Sequence, residues 1–379
     1  MDPKEILSYF ESRTEAVVAS IREIVDIESP SYDAVRSRTV VDWIEKAFRD
    51  TGSNLQIERV PAEGYGDHII VRAFPGENKP VLLIGHSDTV HPFGAKERNP
   101  TRFENDKLFG CGIFDMKANI VLMIEAIRFF EETGTRPARP ITVVISCDEE
   151  VGSATGRLLI EQEAEHADHC FVFEPSSNGS VKTARKGTGM YTLRAHGIPA
   201  HAGLEPEKGA SAILEIARQI GHLQTFNAPD LGTTVNVCTA AGGTTTNVIP
   251  EFAECTVDVR FSSLNEAERV YEEIYALKPF DERVTLEILG NVNRPPLERT
   301  PAVISLYEKA RNAATSFGYD LGETQVGGAS DGNFVAALGV PVLDGLGIKG
   351  DGAHTLQEHI LVSDIAKRAT LIVALLNAP

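Results

Sequence analysis

Residues 141–153 read ITVVISCDEEVGS. A mostly apolar, β-branched run ends in three consecutive acids, Asp148, Glu149 and Glu150, and then a glycine. The run suits a strand covered on both faces. Like charges at its tip repel one another, and a buried carboxylate is costly unless something pairs with it. A solvated loop is one account of the acidic block, and a bound cation is the other.

The surrounding sequence repeats the pattern. PVLLIGHSD (80–88) and CFVFEP (170–175) are further apolar runs that end in polar residues, and HIIVRAF (68–74) alternates like a half-buried strand. Helical spacing occupies 3–27, about Asp33 to Arg49, 114–134 closed by Gly134, and the region near 154–165. Strands alternating with helices predict a parallel sheet, hence an α/β fold. After about residue 180 the pattern changes. MYTLRAHG (190–197), TTVNVCTAAGG (233–243), AECTVDVRF (253–261) and RVTLEILG (283–290) alternate instead, with helices over 208–224 and near 264–278. Cys255, Val257, Val259 and Phe261 form one apolar face, which predicts a small α+β unit with a one-sided sheet. Beyond NRPPLERT (293–300) the buried pattern returns with a helix at 301–317, VPVLDGLG (340–347) and a helix near 362–376. The expected organisation is a catalytic domain in two parts, 1–180 and 293–379, interrupted by an inserted α+β domain at 181–292.

Bulk properties narrow the function. The 379 residues exceed one ordinary core. A net charge of −18 argues against nucleic acid as a partner. No apolar run approaches the ~20 residues of a membrane helix. The start, MDPKEILSYFESRTEAVV, lacks the basic-then-apolar order of a signal peptide. The 5 cysteines lack paired spacing and read as reduced, buried residues. The expectation is a cytoplasmic protein with no membrane attachment.

Ligands gather at the carboxyl ends of parallel strands. There stand His86 and Asp88 in LLIGHSD, Glu149 and Glu150 in ISCDEE, and Glu174 in FVFEP. The Gly-rich turn LFGCGIFDMK places Asp115 just before a helix, and His354 lies in GIKGDGAHT. Each alone has a bland reading: an Asp before a helix is commonly an N-cap, and a His in a Gly-rich loop is ordinary. Together, imidazoles and carboxylates without thiolates suit zinc, cobalt or manganese in a hydrolytic site.

GHSDTV (85–90), GCGIFDMKANI (110–120), CDEEVGSATGR (147–157), FEPS (173–176), HAG (201–203), GGTTTNVIPEFAECTVDVRF (242–261), GGASDG (327–332) and GDGAHT (350–355) resemble, in order, the co-catalytic zinc peptidases of the aminoacylase and glutamate carboxypeptidase family. FEPS and the overall spacing are most similar to its folate-cleaving glutamate carboxypeptidase branch. The resemblance implies a mostly parallel-sheet, aminopeptidase-like catalytic domain with an inserted dimerisation or lid domain. It implies two zinc ions per chain, cobalt or manganese being alternatives. Asp115 would bridge them, with His86 and Glu174 completing one site and Glu150 and His354 the other. Glu149 would be the general base on a water between the metals, and Asp88 would orient the His86 ring. The acids would then be adjacent because one holds a metal and the next works on its water. Asp148 is left with a turn.

The resemblance further implies that His201 donates to the oxyanion across a homodimer interface formed by the inserted domain. Asn247 would contact substrate or oxyanion, and Arg260 would clamp the substrate's free carboxylate. The bland reading of Arg260 is a surface ladder with Glu254, Thr256 and Asp258. Lys182, Arg185 and Lys186 read either as a second acid-binding cluster or as a solvated basic turn. GGASDG is expected to offer backbone donors. The implied activity is hydrolysis of an amide next to a free carboxylate in a small-molecule substrate, as in a glutamate carboxypeptidase. The alternatives are a deacylase of N-acyl amino acids, of the acetylornithine or succinyl-diaminopimelate type, and a non-catalytic small-molecule binding relative.

Overall fold

The strand Ile141–Ser146 and its parallel neighbour Val81–His86 are buried at every residue. Cover on both faces allows that, so the sequence of both strands is mostly apolar rather than alternating. In the computed structural model, which describes residues 1–52 and 54–378, they centre a sheet of order Gln56–Ala62, Gly66–Ala73, Ile141–Ser146, Val81–His86, His169–Val172 and Val342–Leu343. The last four strands run parallel and the first two are antiparallel. The chain divides into one unit of Met1–Ala184, Arg299–Gln325 and Ser330–Pro379, which holds this sheet, and another of Arg185–Glu298 and Val326–Ala329.

The first unit's helices form where capping and periodicity call for them. Pro3–Asp26 opens with a capping box of Asp2 and Glu5. Ala34–Arg49 is capped by Asp33. Ala118–Thr133 is apolar nearly all round and ends at Gly134 in the left-handed conformation. Its Phe129 and Phe130 lie in the core beside Phe10 and Ile21. Truncating Phe129 to Ala would cost ~3–5 kcal/mol.

The structure departs from the sequence reading in four places. The helix expected from 114 begins at Ala118, after a π-helical turn at Ile113–Lys117 in which Asp115 and Met116 have non-helical angles. The strand at 68–74, expected to be half-buried, is almost wholly buried, with the helix Ala34–Arg49 packed against it. Val181–Arg185 is a fully buried strand, so the solvated-turn reading of Lys182 and Arg185 fails. Cys238 is exposed, unlike the other four cysteines.

In the second unit the strands Thr234–Gly242, Phe252–Phe261, Gly187–His196 and Thr285–Arg294 form an antiparallel sheet in that order. Ala253, Cys255, Val257, Val259 and Phe261 are buried in alternation. They share a core with Ile216 of the helix Ala212–Leu223 and Val270 of the helix Leu264–Tyr275.

Candidate metal centre

Parallel register brings two acidic turns together. His86 pairs with Ser146, so Ser87-Asp88 and Cys147–Glu150 leave the sheet side by side. Asp88, 1% exposed, uses the adjacency. Its carboxylate accepts from the backbone N–H of Glu149 and of Glu150, each at 3.2 Å, and from the Ser31 hydroxyl at 2.7 Å. Its Oδ1 lies 3.4 Å from His86 Nδ1, and that nitrogen also donates to the Asp88 carbonyl at 3.0 Å. The ring therefore turns Nε2 the other way, as a ligating imidazole requires.

His86 Nε2 sits 3.2 Å from Asp115 Oδ1 and 3.5 Å from Glu174 Oε1. His354 Nε2 sits 3.3 Å from Asp115 Oδ2 and 3.3 Å from Glu150 Oε2. The two oxygens of Asp115 face two different imidazoles and divide the cluster into halves. Ligand atoms of His86, Glu149 and Glu174 lie within 4.8 Å of one another, as do those of His86, Asp115 and Glu150. His354 has a left-handed backbone at φ 65°, a conformation a non-glycine residue keeps only where its surroundings impose it. Its side chain is 52% exposed and forms the open side of the cluster.

The electrostatics favour a cation. Burial opposes charge on His86, but bonds to Asp115, Asp88 and Glu174 push its proton affinity well above the usual range. Bonds to Asp115 and Glu150 raise His354 to about 10. Burial works against the ionised form of Asp115, yet His354 and His86 hold it well below the usual carboxylate range. Burial raises Glu150 despite its bond to His354. The same carboxylates that raise the proton affinity of both rings would attract a metal cation in the protons' place. Glu150 Oε1 is buried and has no hydrogen-bond partner among the described residues. An orphaned carboxylate oxygen among imidazoles and acids fits a divalent metal.

Asp148, with no role in the sequence reading beyond a turn, is fully buried. It accepts from the Thr155 amide at 2.7 Å, the Thr155 hydroxyl at 2.8 Å and the Gly156 amide at 3.3 Å, at the start of the helix Gly156–His166. Two residues missed in the sequence also build this site. Asp331 of GGASDG accepts from the Ser146 and Ser153 hydroxyls, so that segment contributes a buried side chain. Glu358 accepts from the amides of Gly112, Phe114 and Asp115. The available signal for Glu358 was an acid four residues after His354, just before the apolar HIL.

The remaining sequence candidates belong to the second unit. His201 pairs with Val248 between short strands, and the Asn247 carbonyl accepts from Ala202 at 2.9 Å, so His201 and Asn247 are neighbours. Both are exposed. His201 Nδ1 accepts from the Gly203 and Leu204 amides at 3.1 and 3.2 Å, which leaves Nε2 as the outward nitrogen. Arg260 is bound to Asp258, Nε at 2.9 Å and Nη2 at 2.8 Å, the bland partner that its strand position offered. Arg185 donates to the Gly328 and Ala329 carbonyls at 3.2 and 3.1 Å.

The sequence model of Peptidase family M20/M25/M40 matches residues 82–378. The chain belongs to this family. It is 30% identical over 370 residues to carboxypeptidase G2 of Pseudomonas sp. (strain RS-16), covering 95% of this chain and 88% of the relative. It is 28% identical over 316 residues to a succinyl-diaminopimelate desuccinylase of Delftia acidovorans, covering 78% of this chain and 80% of the relative. A dinuclear metal binding M20 peptidase from Bacillus subtilis shares the fold, with a TM-score of 0.69 at 14% identity over 97% of this chain and 98% of that one. The family resemblance and the α/β fold read from the motifs therefore hold. This M20 member is a metallopeptidase-type hydrolase, and a binding protein without turnover is set aside.

Proposed function

We propose that this M20 enzyme hydrolyses an amide next to a free carboxylate, favouring a C-terminal glutamate or a similar acyl amino acid, with two zinc ions per chain. Cobalt or manganese suits the same donors. The observation that carries the two-metal reading is Asp115, whose two oxygens face His86 and His354 separately. His86, Asp115 and Glu174 would hold one ion, and Glu150, Asp115 and His354 the other. When bound, the ions would supply the positive charge that acidifies a water and polarises the scissile carbonyl.

The chain's own residues do the rest. Glu149, fixed through its amide by Asp88, accepts a proton from the attacking water and returns it to the leaving nitrogen. Asp88 keeps His86 Nε2 aimed inward. His201 donates from Nε2 to the oxyanion, with Asn247 beside it. Arg260 exchanges its bond to Asp258 for the substrate carboxylate, which a planar guanidinium grips well.

The second unit acts as dimerisation or lid domain and the first as catalytic domain. Its helix Ala212–Leu223 exposes Ile213 and Leu214, and Ala240 to Gly242 of the edge strand Thr234–Gly242 are exposed. An exposed edge of small residues and the exposed Ile213 and Leu214 suit pairing with a second copy, and a homodimer would let His201 work in trans. No helix among the described residues is long and apolar enough to cross a membrane. The enzyme is proposed to be cytoplasmic and to act on small molecules, with no nucleic acid partner.

Amine release from N-acyl amino acids and short peptides tests the substrate reading, with the carboxyl-side residue varied among Glu, Asp, Ala, Leu and ornithine. Preference for Glu or Asp under a bulky acyl group is expected. Preference for a small acyl group on a basic amino acid would replace it with the deacylase reading that the desuccinylase similarity favours.

A further inference from the structure

Glu358 is fully buried, and its carboxylate is spent on one loop. Oε1 accepts from the Phe114 and Asp115 amides, each at 2.9 Å, and Oε2 from the Gly112 amide at 2.8 Å. His91 Nε2 lies 2.7 Å from Oε2. Charge-assisted bonds of this kind are the strong ones. They hold Asp115 out of the helix that its sequence would otherwise extend, at φ −117° and ψ 89°. The backbone of Glu358 also ties down the loop that carries His354. Its amide donates to Thr355, whose own amide donates to Gly352, and its carbonyl accepts from Gly110 at 3.2 Å. One residue therefore joins the Asp115 loop to the His354 loop.

The other half of the cluster is held differently. His86 ends a sheet strand and is braced by Asp88. Glu174 follows Phe173, whose amide donates to Ile84 at 3.0 Å, and its own carbonyl accepts from Gly347 at 3.0 Å. Neither of these residues depends on Glu358 for its place.

Resting on the two-metal reading above, we propose that Glu358 is a positioning residue that reaches both ions through the shared Asp115 and weighs more on the ion of Glu150 and His354, whose loop it also ties down, than on the ion of His86 and Glu174. The test is a zinc titration of the metal-free protein against a chromophoric chelator, alongside the melting temperature without metal. Wild type should take two zinc ions. Glu358→Gln should weaken one of them about 10–100-fold and the other by a clearly smaller factor. In a His354→Ala background, Glu358→Gln should weaken the remaining ion no more than it weakens the less affected ion of the wild type. If Glu358→Gln does not fold, His91→Gln carries the test, with a smaller loss at the same ion. Equal weakening of both ions, or unchanged affinities with only a lower melting temperature, would overturn the proposal in either variant. A wild type that binds fewer than two zinc ions overturns the two-metal reading itself.

Discussion

The candidate groups of the two units are held in opposite ways. In the first unit Asp88, Glu149 and Glu174 are buried and His86 is 1% exposed, with His354 alone forming the open side of the cluster. Asp88 and Glu358 fix the backbone of the very residues whose side chains converge. In the second unit His201 and Asn247 are exposed, and the bonds to the His201 ring come from its own turn. The difference follows from the task. Holding cations in a low-dielectric site demands preorganised, desolvated donors. A group that meets a substrate or a second subunit must stay open until that partner arrives, and its final geometry is supplied by something outside its own unit.

The largest effects should come from the buried cluster. Removing metal with a chelator should abolish turnover, lower the melting temperature because the binding free energy is lost, and be reversed by zinc or cobalt. A fully active chelated enzyme would end the two-metal account. Next comes Glu149→Gln: kcat should fall about 10³-fold while two ions remain bound, as read by metal analysis. Unchanged turnover would remove Glu149 from the chemistry.

The exposed groups should matter less, and through a different signature. His201→Ala should lower kcat by about 10²-fold, within the range for one oxyanion donor. Mixed with Glu149→Gln subunits, it should regain part of the activity. No rescue from a verified mixed dimer would place His201 outside catalysis in trans. Arg260→Ala should raise KM by about tenfold with little change in kcat, the mark of a lost charge-assisted contact made equally in ground and transition states. A fall in kcat instead would give Arg260 a catalytic part.

The smallest effect concerns stability alone. His68 is buried, and burial lowers its proton affinity from the usual value of 6.5. Its Nδ1 accepts from the Cys147 amide at 3.2 Å, so the neutral ring donates from Nε2 to Thr155 at 2.9 Å. The folded state binds this proton less readily than the unfolded one. The contribution is complete above pH 6.5 and is lost as pH falls below it. In chelator, His68→Gln should melt lower than wild type at pH 7.5, by an amount equivalent to about 1–3 kcal/mol. The gap should narrow toward pH 5. A constant gap would show that His68 does not titrate in this range.

Much was legible in the chain alone. Strands covered on both faces must be apolar throughout, so 80–88, 141–146 and 170–175 declared the parallel sheet, and the switch to alternation at Cys255, Val257 and Val259 declared a second, one-sided sheet. The rule that ligands collect at strand ends selected His86, Asp88, Glu149, Glu150 and Glu174, and their motif order carried the family resemblance.

The tertiary structure decided what depends on partners far away in sequence. It showed what holds Asp115, the bridging residue that the resemblance implied, out of the following helix: Glu358, 243 residues away, claims its amide. It gave Asp148 a buried capping role and made Val181–Arg185 a buried strand. Periodicity reports which face of an element is covered, and motif spacing reports which side chains share a strand end. Neither reports which distant carboxylate satisfies a particular backbone N–H, since that depends on loops whose closeness exists only after folding.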